Sequence, residues 1–426
     1  MRVAIAFNAL IVLSALTARA ADQSFALADA VQIALERSPK IRALIAKVDE
    51  ARSTVGANRS TFMPHIGFAG GLERNPSVSD TAEKFAYAYA HWNLFNGFAD
   101  RQNSQIGGLA LEIAETELAA EQFSLALEVE ETFYSVLGAM KSAQEWADAG
   151  AINGNALKDI RARRGAGMIS EGDVVAFEVR QTRLDAEIAE AQSEIAMSKT
   201  EFNRLLGHEI GQSIVFQGEV PRFEMSETPE TLLANAHRDS FTLRASSLDV
   251  ARASVELSKW VSETLPKIDL EARNGLLPLG ERASAKEAFA RQSTYILVTA
   301  KMDLFSGLST VYDRRAAAAR KSKSDEELRQ ASSDLLTTIE RHARKIQSLD
   351  RRIVIESDNS LKASKYKEII AREYRGGVKP ISDYAAAIDL LIDARRRLVT
   401  ALLQWHHERF GLERALGRKI SVKEVH

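Results

Sequence analysis

The sequence predicts a mainly α-helical protein with a minor share of membrane β-structure, built from two copies of one unit that each hold a long helical hairpin and a pair of short strands. Three observations predict it. The chain repeats itself at an interval of about 200 residues, long stretches lack helix breakers, and each copy carries two segments of alternating character ahead of its longest helix.

The repeat is read directly. Sliding residues 29–66 onto 231–268, a constant offset of 202, brings Ala34, Ser38, Arg42, Ala43, Val48, Ala51, Ser60, Pro64 and Ile66 onto Ala236, Ser240, Arg244, Ala245, Val250, Ala253, Ser262, Pro266 and Ile268. Further on the offset is 210: Leu94, Phe95 and Gly97 meet Leu304, Phe305 and Gly307, and Gly167, Asp173 and Gly207 meet Gly377, Asp383 and Gly417. A period this long marks two copies of a domain-sized unit rather than a solenoid of small repeats.

Taken in order, the chain opens with Arg2, an apolar run from Val3 to Leu16 and the triplet Ala18-Arg19-Ala20. This predicts a signal peptide over 1–20 with cleavage before Ala21; the run is short of the roughly 20 apolar residues that an anchor needs. The expected divisions are then a first repeat over 21–220, a second over 221–417, and a short C-terminal tail over 418–426.

Proline punctuates the rest. The eight prolines leave 77–220 and 279–379 free, and 308–375 contains neither Pro nor Gly. A helix over that last span would be about 100 Å long, an extended rod rather than an ordinary globular helix. Apolar residues recur along one face in both copies: Leu111, Ala114, Leu118, Leu125 and Val129 in the first, Ile381, Tyr384, Ile388, Leu391 and Leu398 in the second. That spacing is a helical stripe.

The segments between the helices differ. His65 to Arg74 and Phe85 to Phe95 flank a polar Asn75-Pro76-Ser77 loop; Lys267 to Leu276 and Tyr295 to Phe305 flank a loop through Pro278 and Gly280, with Ile296, Val298, Ala300 and Met302 expected on one face. Alternation over about ten residues is the signature of a membrane-barrel strand. Four strands leave open edges, which lipid does not tolerate, so closure calls for several identical chains in a ring.

Composition excludes other classes. Cysteine is absent, which removes disulfides and thiolate metal sites. The net charge of -2, with 27% charged residues of both signs, gives no basic stripe for nucleic acid. His406-His407-Glu408 has adjacent rather than i, i+4 spacing and is read as solvated surface, not a metal face. Arg164-Gly-Ala-Gly167 lacks a dinucleotide loop's preceding strand and third glycine. No catalytic constellation stands out and no cofactor is expected.

The order of these pieces, twice over, resembles the TolC-type outer-membrane factors of Gram-negative bacteria across essentially the whole mature length. The resemblance rests on Pro64 and Pro266, on the strand-to-helix corners Trp92-Asn-Leu-Phe95-Asn-Gly97 and Met302-Asp-Leu-Phe305-Ser-Gly307, and on the hairpin tips Gly167-Met168-Ile-Ser-Glu-Gly-Asp173 and Tyr374-Arg-Gly-Gly377-Val378-Lys379-Pro-Ile-Ser-Asp383. It implies a homotrimer whose chains contribute four strands each to one 12-stranded outer-membrane barrel, above a periplasmic helical tunnel. It also implies a passive export duct for type I secretion or efflux, docked through a periplasmic adaptor (a membrane fusion protein) on an inner-membrane ABC or proton-driven transporter.

At the residue level, the resemblance makes Asp383, Tyr374, Lys379 and Asp173 a periplasmic gate, with Asp383 in an acidic ring. Gly167, Met168, Gly377 and Val378 become adaptor contacts. Lys379, Gly172 and Ala386 depart from the family pattern and imply a weaker latch and a less acidic ring. The residues alone allow a plainer role, with Asp173 and Asp383 as helix N-caps or first-turn acids and Gly165, Gly167, Gly376 and Gly377 as positive-φ turn residues. A soluble periplasmic coiled-coil adaptor or scaffold is the alternative to a duct; it would usually carry one hairpin, whereas two hairpins and two strand pairs are present.

Overall fold

A computed structural model of the chain describes residues 27–73, 83–209, 212, 214–262, 264–278, 294–302, 304–305 and 307–425. The expected signal peptide, the Asn75-Pro76-Ser77 loop and Gly280 of the second loop lie outside the described residues, whereas Pro278, expected in that loop, ends a strand. The first half runs α1 (Leu27–Arg37), α2 (Pro39–Ser60), β1 (His65–Glu73), β2 (Glu83–Asn96), α3 (Ala99–Gly165) and α4 (Glu171–Leu205). After β3 (Phe223–Met225), the second half repeats the order as α5 (Pro229–Asp239), α6 (Phe241–Ser262), β4 (Lys267–Pro278), β5 (Thr294–Lys301), α7 (Ser309–Arg375) and α8 (Ile381–Leu416), and ends in β6 (Val422–Glu424).

The two long helices, α3 and α7, are 67 residues each, about 100 Å of unbroken rod. The opening helix of each copy is not continuous: it breaks at Ser38 and at its repeat mate Ser240. Ser38 has extended backbone, accepts a hydrogen bond from the Ile41 N–H, and is followed by Pro39 at the first helical position. Ser240 is likewise extended and receives no side-chain cap role.

Strands β1-β2-β4-β5 form one antiparallel sheet in that order. In the first hairpin His65 pairs with His91 and Gly71 with Phe85; in the second, Lys267 pairs with Lys301 and Arg273 with Tyr295. The two registers superpose under the offsets 202 and 210, so the extra eight residues of the second copy fall in its loop and leave the ladder untouched. β5 ends at Lys301 rather than at the expected Phe305. Its ladder partner begins at Lys267, just after Pro266, so nothing on that side continues the pairing, and Met302 lies outside the strand.

Pleating sorts the sheet into two faces. Ile66, Phe68, Leu72, Ala88, Ala90, Leu270, Ala272, Ile296 and Val298 share one, while Tyr87, Tyr89, His91, Asp269, Glu271, Arg273 and Thr299 share the other. Tyr87, Tyr89 and His91 of β2 therefore point to the polar face, and Ala88, Ala90 and Trp92 to the apolar one. Ile66, Phe68, Leu72, Ile296 and Val298 are exposed. No described helix is long and apolar enough to cross a membrane.

Each half has its own core where its helices meet: Ala34, Ile41, Val129, Phe133, Phe202 and Phe216 in the first, and Leu232, Ile339, Ile346, Trp405 and Leu416 in the second. The C-terminal tail is tied in, because β6 pairs with β3. Three-residue strands carry no readable period, so neither was expected. The halves join along α3, which packs against both α6 and α8. At Gly138 an added Cβ would fall 2.6 Å from Leu403, so the absence of a side chain sets the closeness of α3 and α8.

Candidate functional site

The candidate site lies at the far end of the two hairpins from the sheet. The first turn closes on Gly167, whose φ of 76° places it in the left-handed region. The Ser170 side chain then caps α4, accepting from the Asp173 N–H at 3.2 Å and donating to Asp173 Oδ2 at 2.7 Å. Asp173 is thus a first-turn acid held by its own cap. The second turn closes on Gly377, φ 77°. Of the four tip glycines only these two need positive φ: Gly165 is the last residue of α3 and Gly376 sits at a φ of -76°.

Lys379 and Asp383 meet on one turn, Nζ to Oδ2 at 3.2 Å, both half-exposed. Asp383 is a first-turn acid of α8. Met168 and Val378 are exposed, one on each turn. Among the described residues, no hydrogen bond or ion pair joins Asp173 or Lys379 to the other hairpin.

Tyr374 is different. Although it is at the tip it is only 5% exposed, stacked on Tyr384 with centroids 5.6 Å apart and planes 11° from parallel. The Arg163 guanidinium lies 4.8 Å from its ring centroid and donates to the Arg375 carbonyl at 3.3 Å, where the helix dipole favours a cation. Asp159 pairs with Arg163 at 3.2 Å. Burial, followed by the Asp159 charge, pushes the Tyr374 phenol up, and among the described residues its hydroxyl has no hydrogen-bond partner. Arg163 therefore fastens the second hairpin to the first. In the sequence it was one of several arginines, and only the fold brings it over an aromatic ring 211 residues away.

A second cross-hairpin tie lies further from the tips. Arg180 on α4 donates to both carboxylate oxygens of Asp389 on α8, at 2.8 and 2.7 Å, and to the Ala385 carbonyl at 3.0 Å. Beside it runs a groove of about 550 Å³ with Trp146, Phe177, Val179, Arg183, Ile392 and Arg396 on its walls.

Nearer the chain's middle, a buried network was also missed. Arg409 bonds Glu130, which also receives Lys419 at 2.8 Å. His406, expected at the surface, is 2% exposed: it stacks near Tyr134, with Nε2 on the Pro221 carbonyl at 2.8 Å. The adjacent His407 is exposed, as 100° of helical rotation requires, and pairs with Glu131. Gly307, Phe305, Gly97, Phe95 and Trp92 lie at the strand-helix corners, where Gly97-Phe98 and Gly307-Leu308 each place two consecutive residues at positive φ. Trp92 Nε1 donates to the Phe62 carbonyl at 2.9 Å.

A four-stranded sheet with an exposed apolar face thus stands at one end of two long helical hairpins. The sequence model of outer membrane efflux proteins matches residues 30–208 and 232–418, and the chain belongs to that family. Its place is the outer membrane, and the family is one of channels. One matched block falls in each half of the chain.

Solved structures agree in fold. VceC, an outer membrane protein of Vibrio cholerae, superposes with a TM-score of 0.81 at 17% identity, covering 93% of this chain and 97% of its own. The outer-membrane channel OprN gives 0.78 at 17%, covering 92% and 89%. CusC gives 0.81 at 14%, covering 92% of each. No curated protein matches the chain in sequence.

Proposed function

We propose that three copies of this chain form an outer-membrane export duct in which each contributes four strands to a closed barrel and two hairpins to a periplasmic tunnel. The observation that carries this reading is the sheet: one face apolar and exposed, one face polar, and both edges, β1 and β5, unpaired among the described residues. An open edge in lipid leaves backbone groups without partners, and copies of the same sheet supply them with the least new structure. The apolar face then meets lipid and the polar face lines the lumen.

The duct is passive and works in a tripartite system, with the exposed turns at Gly167-Met168 and Gly377-Val378 meeting a periplasmic adaptor and an inner-membrane transporter supplying the energy. The tip is the gate. Asp383 rings the constriction, with its charge offset by Lys379 on the same turn, and Tyr374 holds the second hairpin closed through Arg163. Asp173 braces the first turn.

Fractionation tests the reading. The mature chain should require detergent, co-purify with outer membranes, and run as a trimer that dissociates on heating in SDS. A water-soluble monomer contradicts it.

A further inference from the structure

The groove between α4 and α8 has an apolar floor and walls whose charges do not balance. Trp146, Leu184 and Ile392 make the floor, members of one core cluster to which α3, α4 and α8 each contribute. Phe177 is buried beside them, whereas Val179 on the α4 wall is 65% exposed. The opening, about 550 Å³, is that of a site for a drug-sized ligand.

Five charged residues line it. Arg180 and Asp389 satisfy each other through two hydrogen bonds, and Asp393 is held by Arg397, one turn further along α8. Both acids of the groove are therefore engaged, while Arg183 and Arg396 are left over. Among the described residues neither of these two has an ion pair or a hydrogen bond, and both are exposed. The Arg396 guanidinium lies 4.5 Å from the centroid of the Trp146 ring, a contact that holds the cation over the floor without neutralising it. Arg183 stands one turn beyond Arg180 on α4, and Arg396 two turns beyond Asp389 on α8, so both lie on the side of the ion pair away from the tips.

We infer that this groove binds an amphipathic anion, a carboxylate or sulfonate on a flat apolar body, with its charge between Arg183 and Arg396 and its body over Val179 and Ile392. Guanidinium donors match the geometry of such oxyanions, and the apolar floor adds burial that an inorganic anion cannot exploit.

The two arginines belong to different hairpins and are near each other only while α4 packs against α8. An anion held by both favours that packed arrangement over a separated one, by as much as it binds the first better than the second. Bound anion is then a lock on the hairpins, placed beside the Arg180–Asp389 tie. The lock rests on the reading of the helical end as a gate; the binding site does not.

Calorimetric titration of the detergent-extracted protein with 1-naphthalenesulfonate, corrected for detergent alone, tests the site. It should show one molecule bound per chain. Arg183→Gln and Arg396→Gln should each weaken binding about tenfold, the loss of one charge-assisted contact. The double variant, with the parent's helical circular dichroism, should bind about a hundredfold more weakly, and uncharged 1-naphthol should bind the parent no better than that. Equal affinity of parent and double variant, or of naphthol and sulfonate, overturns the site. In a planar bilayer, saturating sulfonate should lower the parent's resting conductance and leave the double variant's unchanged. Binding by calorimetry with no effect on conductance overturns the lock and keeps the site; binding by a protein that forms no channel at all overturns the duct reading instead.

Discussion

Arg180 and Asp389 form a two-pronged ion pair between α4 and α8, joining the hairpins that the two halves of the sequence build separately. The arginine is largely buried and the aspartate largely exposed, and the planar fork of a guanidinium matches the two carboxylate oxygens. We expect Arg180→Ala to weaken the packing of one hairpin on the other and raise the resting conductance of the assembled protein. Asp389→Ala should do the same, and a double-mutant cycle should return a coupling of about 1 kcal/mol. Additive effects would show that the pair does not hold the hairpins.

Tyr374 offers a sharper contrast. Its ring is stacked and buried, but its hydroxyl bonds to none of the described residues. Removing an unpaired buried hydroxyl is close to neutral, whereas removing the ring forfeits the stacking and the cation–π contact. Tyr374→Phe should keep the parent's melting temperature and conductance, while Tyr374→Ala should lower the first and raise the second. An open channel in Tyr374→Phe would place the latch in the hydroxyl instead.

The pairing of Lys379 with Asp383 sets opposite expectations for two neighbours. Like charges gathered by symmetry at a constriction attract multivalent cations. Asp383→Ala should weaken block by such cations applied from the periplasmic side, and Lys379→Ala should strengthen it. Unchanged block in Asp383→Ala removes this residue from the constriction.

One half-buried and one buried group bias stability in opposite directions with pH. Burial pushes the Asp350 carboxyl up from 3.8 to about 6 despite the hydrogen bond it accepts from Trp405 at 2.7 Å. The folded state then keeps a proton that the unfolded chain releases, so this contribution to stability is lost as pH rises from about 4 to 6. Burial pulls His406 down from 6.5 to about 4; here the folded state lacks a proton that the unfolded chain holds, and stability is lost as pH falls through that window. The two offset each other. Asp350→Asn should melt lower as pH falls from 6.5 to 4, His406→Gln should melt lower as pH rises from 4 to 6, and the parent should be flatter than either, with differences of about 1 to 2 kcal/mol. Parallel profiles in all three contradict the assignment.

Much of the fold was legible because its signals are long. The span free of Pro and Gly at 308–375 differs from α7 by one residue at its start, and the strand pairs were visible as alternation bounded by Pro64, Pro266 and the Leu-Phe-x-Gly corners. What stayed hidden is short or tertiary. β3 and β6 are too brief for any period, and Ser240 breaks its helix without a following proline. His406 and His407 are adjacent in sequence and opposite in burial because α8 presents one to the core and the other to water. At the tips, sequence located the turns and their glycines. Arg163 over Tyr374 and Asp389 against Arg180, however, each come from the other repeat, and no local pattern specifies which face of one rod will meet which face of another.

Single-channel recording of the purified, detergent-extracted protein in a planar bilayer tests the central claim most directly. A passive duct closed at its helical end predicts stable unitary steps of low conductance that need no energy source, and larger steps from Tyr374→Ala and Arg180→Ala. A protein that inserts and gives no steps, with these variants equally silent, would contradict it.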